Sequence, residues 1–321
     1  MAYLIGTDEA GYGPNLGPLV ISATAWRVPD QSWNVDLYES LSDVITSAGG
    51  RLRSDKLWVA DSKQLYKPGA GLAALESGLF PMLRELGVPA DSWASLWDSL
   101  APDSSRPRQR IPWYRDFVAR LPIDAESQLI ESLGRRLSEQ CGETGIRVLG
   151  IRSTALFPAE FNALTEDLGS KGELLSRATL ALIRGRLEEL EPAAVRVVCD
   201  KHGGRSRYAG LIQHCFPEAW IQVIHEQRAE SLYRWTTSRG HEVECYFRAK
   251  GESFLPSALA SMASKYLREL AMRAFNDYWC GHVPGLRRTA GYPTDAKRFK
   301  LEISAAQTRL EIPDDVVWRN R

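Results

Sequence analysis

The chain begins with a short apolar run, Tyr3 to Thr7, that delivers two adjacent carboxylates, Asp8 and Glu9, into a glycine-rich turn. Side chains of a regular strand alternate between faces, so neighbouring acids reach one ligand only where the strand ends or distorts. Gly11 and Gly13 permit that distortion, and Pro14 stops further ladder pairing. Leu19 to Val28 then reads as a returning strand, which makes the first 30 residues a hairpin. Two unneutralised carboxylates side by side repel each other, and a divalent cation is the usual remedy. The plain alternative is a solvated acidic pair in a turn.

Further acids stand at comparable points. Ala194 to Asp200 is a buried-type strand that ends in a carboxylate, and Glu252 lies just past Val243 to Arg248, a third strand-like run. Ligand crevices of α/β sheets form beyond strand ends, so these acids are candidates to converge. Oxygen donors without Cys or His ligands suit Mg²⁺ or Mn²⁺, and a pair of such ions serves phosphodiester cleavage. Taken singly, Asp200 reads equally well as a turn former and Glu252 as a helix cap.

The composition places no general field around the chain. Its 321 residues carry 40 Lys plus Arg against 40 Asp plus Glu, so a polyanion has to be held by a local patch. No apolar run approaches membrane-spanning length and no signal-peptide pattern opens the sequence, so a cytoplasmic protein without a membrane partner is expected. The five cysteines are scattered without a C-x-x-C pair, which argues against a zinc site or a disulfide framework. Trp58, Trp93, Trp97 and Trp113 sit in apolar contexts and read as packing residues.

Helical spacing is expected over Ala70 to Leu86, over Ser127 to Cys141 with Gly142 as the stop, over Leu174 to Leu190 and over Leu255 to Tyr278. Pro89 to Pro122 reads as an irregular insertion with a basic loop, Arg106 to Arg110. Ile146 to Ser153, Trp220 to Ile224 and Ser231 to Thr236 read as further strands. Arg287, Arg288, Lys297, Arg298 and Lys300 form a positive cluster around Gly291 to Thr294.

Six blocks, in order, resemble the type 2 ribonucleases H, and bacterial ribonuclease HII in particular. Gly6-Thr7-Asp8-Glu9-Ala10-Gly11-Tyr12-Gly13-Pro14 is similar to the family's G-x-D-E-x-G-R-G-P, with Tyr12 in the place of arginine. Asp61-Ser62-Lys63-Gln64-Leu65 resembles its N/D-S-K-K-L block, and Glu160-Phe161-Asn162 its E-L-N segment. Val197-Val198-Cys199-Asp200 resembles the strand ending in Asp-Gly, with Lys201 replacing the glycine. Lys250-Gly251-Glu252-Ser253 and the following Leu259 to Lys265 resemble K-G-D-S and its A-A-S-I-L-A-K helix, with glutamate for aspartate. Thr289 to Thr294 is close to H-K-G-Y-G/P-T.

The resemblance implies an α/β fold, a ribonuclease H-like mixed sheet flanked by helices, with inserted segments and a C-terminal helical tail. It implies a catalytic domain over 1–281, interrupted by an insertion at about 66–145, and a segment 282–321 that completes a nucleic-acid groove. By it, Asp8, Glu9, Asp200 and Glu252 are the catalytic quartet and bind Mg²⁺ or Mn²⁺. The backbone of Gly11, Tyr12 and Gly13 faces the 2′-hydroxyl, Ser62 and Lys63 hold phosphates, and Tyr292 stacks on a nucleotide. Glu230, in Arg228-Ala229-Glu230-Ser231, is a rival fourth acid.

The implied activity is that of a monomeric endoribonuclease. It hydrolyses the RNA strand of RNA/DNA hybrids, or ribonucleotides embedded in duplex DNA, by two-metal-ion chemistry that leaves 5′-phosphates. A catalytically weakened nucleic-acid-binding protein of the same fold is the alternative, because Tyr12 lacks the arginine's charge and Glu252 adds a methylene. A sugar or acyl kinase of the actin-like superfamily also sets an Asp and glycines against phosphate in its first hairpin. No second glycine-rich phosphate loop follows Asp200 to support it.

Overall fold

The computed structural model describes residues 1–29, 33–47, 55–67, 69–249 and 251–320, the side chain of Glu252 excepted. The opening hairpin is β1 (Ala2–Ala10) and β2 (Leu19–Val28). Helix α1 (Leu37–Ser40) precedes a small parallel pair, β3 (Ile45–Thr46) and β4 (Leu57–Trp58). Asp61 then caps the single-turn helix α2 (Ser62–Leu65), its carboxylate accepting from the Lys63 amide at 3.1 Å.

A helical layer follows: α3 (Ala73–Glu85), α4 (Trp93–Leu100), α5 (Ser105–Arg110), α6 (Pro112–Arg115) and α7 (Ser127–Thr144). The expectation of an irregular stretch over 89–122 is thereby corrected. Pro112 occupies the first helical position of α6 and Pro102 opens a 3-10 turn, sites where a missing N–H costs nothing, so these prolines start helices there. Trp93, Trp97 and Trp113 are buried among Tyr114, Phe157 and Phe275, which bears out their reading as packing residues. Helix α7 runs past Gly142 and ends at Gly145, whose φ of 69° supplies the left-handed cap.

The chain continues through β5 (Arg147–Leu156), α8 (Pro158–Leu168), α9 (Lys171–Glu188), β6 (Ala194–Asp200) and α10 (Ala209–Cys215). Strands β7 (Gln222–Glu226), β8 (Glu230–Thr236) and β9 (Glu242–Arg248) lead into the long α11 (Leu255–His282). Helices α12 (Pro293–Arg309) and α13 (Asp314–Val317) form the C-terminal helical tail.

These strands build one mixed seven-stranded sheet, ordered β5-β2-β1-β6-β9-β8-β7, in which β1, β6 and β9 run parallel. Helix α11 and the 73–144 helices cover one face, where Leu4, Val20 and Trp26 join Leu259, Met262 and Tyr266. Helices α9 and α10 cover the other, where Tyr3, Ile5 and Val197 meet Leu180, Ile183 and Ile212. The expected mixed sheet with helices on both faces is what the chain forms. Among the described residues no helix is long and apolar enough to cross a membrane.

The small residues at the start of α11 have a packing purpose. They let the helix lie against β1, so close that a Cβ on Gly6 would fall 2.1 Å from the Ser257 amide nitrogen and 2.2 Å from the Pro256 carbonyl carbon. Both are backbone atoms and cannot rotate away. Gly6→Ala is therefore expected to destabilise the protein by about 3 kcal/mol, read as a shift in the urea-unfolding midpoint.

Candidate active site

The site is built where the parallel pairing of β1 ends. Pairing with β6 stops at Thr7↔Cys199, whereas pairing with β2 continues through Asp8↔Ser22 and Glu9↔Ile21 to Ala10↔Val20. The expectation that the first strand ends before its acids is corrected: both acids lie within β1, because β2 goes on supplying a partner. Asp8 shares a face with Leu4 and Gly6, toward α11, and Glu9 shares the opposite face with Ile5.

The two acids nonetheless share an electrostatic environment. Burial pushes the Asp8 carboxyl well above the usual carboxylate range, and the charges of Asp200 and Asp61 add to the shift. Burial raises Glu9 too, helped by Asp8 and Asp200, while Lys63 opposes it. Asp200 ends β6, beside the end of β1, and so three of the four expected acids lie within one field.

Glu252 falls in the 3-10 turn Gly251–Ser253, and its side chain is outside the described residues, as is Lys250. The preceding residue packs on the end of β6, since a Cβ on Gly251 would lie 3.2 Å from the Asp200 amide nitrogen. The rival, Glu230, sits two strands from Asp200 in the row Asp200↔Arg248↔Glu230 and bonds the His225 ring at 3.2 Å.

Helix α11 positions this corner through serines. Ser264 Oγ donates to the Asp8 carbonyl at 3.0 Å and lies 2.8 Å from Ser22 Oγ, which in turn meets Ser153 on β5 at 2.8 Å. Ser261 Oγ lies 3.0 Å from Ser62 Oγ and 3.3 Å from Asp61 Oδ1, and it also bonds the Asp8 carboxyl. Ser62 is therefore buried and turned toward α11, whereas Lys63 is 85% exposed and pairs with Asp61 at 3.8 Å.

The turn after β1 is held from three sides. Gly11 has φ +94°, and a Cβ there would lie 2.5 Å from the Pro18 carbonyl oxygen, so glycine is required. Arg268, buried on α11, donates to the Leu16 and Ala290 carbonyls at 3.3 and 3.2 Å. The Asn15 amide donates to Gly291 O at 2.8 Å, which brings Tyr292 beside Gly13, 3.9 Å from where a Cβ would stand. Tyr292 keeps 57% of its surface exposed and is free to offer a ring face.

The C-terminal segment closes the third side. Arg319 donates to the Gly11 and Pro14 carbonyls and lies over the Phe161 ring at 4.8 Å, while Asn162 donates to Trp318 O at 2.8 Å. The Glu160-Phe161-Asn162 block thus acts as an anchor for this clamp. The cationic cluster of the tail is mostly ion-paired: Arg287 and Arg298 with Asp295, Arg288 with Asp277, Lys300 with Asp314.

Sequence reasoning missed several residues of the corner. Asp61 entered only as the first residue of the Asp61 to Leu65 block, and its link to this corner runs through Ser261, 200 positions away. Arg248 is the cross-strand neighbour of Asp200, with its guanidinium 5.5 Å from the Tyr246 ring centre. His202 belongs to the packing: burial pushes its ring down to about 3, and Ser176 holds Nδ1 at 2.9 Å.

The donor set suits a hard divalent ion. The carboxylates are oxygen donors in mutual repulsion, a strain that Mg²⁺ or Mn²⁺ relieves. Among the described residues no three His, Cys, Asp or Glu side chains are grouped closely enough to hold a metal ion.

No family model and no curated protein matches the chain. Similar solved structures include the ribonuclease H2 of Pyrococcus horikoshii OT3, at 16% identity and TM-score 0.47 over 98% of this chain and 92% of that one. The RNase HII of Archaeoglobus fulgidus, solved with PCNA, is similar at 16% identity and TM-score 0.40, over 99% and 94%. Bst-RNase HIII in complex with Mn²⁺ is similar at 13% identity and TM-score 0.40, over 99% of this chain and 66% of its own.

Proposed function

We propose that this chain is a metal-dependent endoribonuclease of the type 2 ribonuclease H kind, cutting the RNA strand of RNA/DNA hybrids or ribonucleotides embedded in duplex DNA. The observation that carries the reading is the shared field of Asp8, Glu9 and Asp200 at the end of the parallel β1–β6 pair, with Gly251, the neighbour of Glu252, against Asp200. In this reading those four acids hold Mg²⁺ or Mn²⁺, which when bound supplies an activated water and stabilises the leaving oxygen of the phosphodiester. The protein's own share is positioning. The serines of α11 fix the Asp8 backbone and the Asp61–Ser62 corner, and the rigid Gly11–Gly13 turn presents its backbone to the 2′-hydroxyl that separates RNA from DNA.

Tyr292 stacks on a nucleotide, the exposed Lys63 serves a phosphate while the buried Ser62 holds the Asp61 corner to Ser261, and Tyr12 lines the same turn as Gly11. The segments 66–145 and 282–321 border the groove, and the enzyme works as a cytoplasmic monomer. The second reading, a nucleic-acid-binding protein without turnover, is separated by one assay. A labelled RNA/DNA hybrid and a duplex with one embedded ribonucleotide are incubated with Mg²⁺ or Mn²⁺. Cleavage that leaves 5′-phosphates and stops in EDTA is expected. Hybrid binding with no cleavage in either metal would replace the enzyme by the binding protein.

A further inference from the structure

Tyr12 brings no charge to the turn, yet the structure brings a cation to Tyr12. The Lys171 ammonium, on the first turn of α9, lies 4.5 Å from the centre of the Tyr12 ring. The phenol reaches the same turn, 3.6 Å from where a Cβ on Gly172 would stand. The fields of Glu9 and of Arg205 both reach the phenol and act on it in opposite senses, so the pair is close to the acidic site and to this arginine alike.

The surroundings are basic. Arg205 and Arg177 converge on a single acid, Glu173, at 3.0 and 3.1 Å. Lys171 adds a third cation to this corner, beside a site whose own acids repel phosphate.

We propose that Lys171, steered by the face of Tyr12, binds a backbone phosphate flanking the scissile one, so that charge and ring come from two elements. The inference rests on the nuclease reading above. A ring under an ammonium fixes its direction and does not neutralise its charge. The simpler role, pinning α9 to the turn, predicts a loss of stability and no change in how binding depends on salt.

The test measures binding of a labelled RNA/DNA hybrid by the full chain in Ca²⁺, over a series of salt concentrations. Wild type, Lys171→Met, Lys171→Arg and the double variant Tyr12→Arg with Lys171→Met are compared. Lys171→Met is expected to raise Kd about tenfold and to lower the salt slope by about one ion, as the loss of one phosphate contact does. Lys171→Arg retains binding, and Tyr12→Arg restores it in the Lys171→Met protein by returning a guanidinium to the turn.

An unchanged Kd and slope in Lys171→Met overturns the inference while leaving the nuclease reading intact. So does a Lys171→Met protein that melts far below wild type, or a double variant that stays weak. A wild-type protein that neither binds nor cuts the hybrid removes the nuclease reading itself, and the inference with it.

Discussion

Asp8→Asn is expected to reduce hybrid cleavage by about three orders of magnitude or more and, in the same protein, to raise the melting temperature measured without metal. The first effect follows from the proposed role of Asp8, because the amide takes away a charged oxygen ligand worth several kcal/mol to the transition state, at about 1.4 kcal/mol per tenfold. The second follows from the price the fold bears for the site. Burial holds the Asp8 carboxyl at about 7 and Glu9 at about 8, against ordinary values near 4.

A carboxyl whose folded pKa lies above its unfolded value keeps its proton in the folded protein when the unfolded chain has lost it. Stability then falls as pH rises from about 4 to about 8, and the cost is complete above that range. The neutral amide of the variant carries no such cost. The melting temperature of Asp8→Asn should match wild type near pH 4 and exceed it by about 3 °C or more at pH 8, in EDTA. Saturating Mn²⁺ should narrow the gap by stabilising wild type alone. A variant less stable than wild type at pH 8 would mean that the carboxylate is satisfied by the fold and does not await a cation.

Arg319→Met has the opposite signature. Its guanidinium is buried, 1% exposed, and donates to the carbonyls of Gly11 and Pro14 from a segment more than 300 residues further along the chain. Methionine fills much of the volume and leaves both oxygens without this donor, for which a cost of about 3 kcal/mol is expected in urea unfolding. The freed turn carries Gly11, Tyr12 and Gly13, so cleavage should fall by about 10²-fold as positioning is lost. Arg319→Lys should recover part of the stability and less of the activity, since both bonds come from the one nitrogen Nη2 at the end of a longer, planar group, and the shorter flexible lysine stem does not set an ammonium in that place. Wild-type cleavage by Arg319→Met would show that the turn holds its shape unaided.

The parts of this fold that were legible in sequence are those written in consecutive residues. Ala194 to Asp200 is an uninterrupted apolar run with an acid at its end, and the strand occupies those residues. The Leu255 helix announced itself by its helical spacing and by the small residues within Leu259 to Lys265. What escaped was set by partners distant in the chain. β1 runs on past Thr7 because residues 20–22 pair with it, and nothing in the 8–14 turn records that.

The prolines of 102–112 looked like breakers because position within a helix, which decides their effect, is not visible in a local pattern. The acids at 8, 9 and 200 could be nominated from strand ends, and the resemblance joined them to 252. Asp61, Lys171 and Arg319 reach the corner only through tertiary contacts, with Ser261, Tyr12 and the 11–14 carbonyls. No periodicity encodes those.

The central claim is that Asp8, Glu9, Asp200 and Glu252 form one divalent-metal site, and titration calorimetry with Mn²⁺ on the full chain tests it most directly. Wild type is expected to bind Mn²⁺, and Asp8→Asn, Glu9→Gln, Asp200→Asn and Glu252→Gln are each expected to weaken it by tenfold or more, whereas Glu230→Gln leaves it unchanged. Wild type that takes up no Mn²⁺, or a Glu252→Gln protein that binds it like wild type while Glu230→Gln does not, would contradict the account.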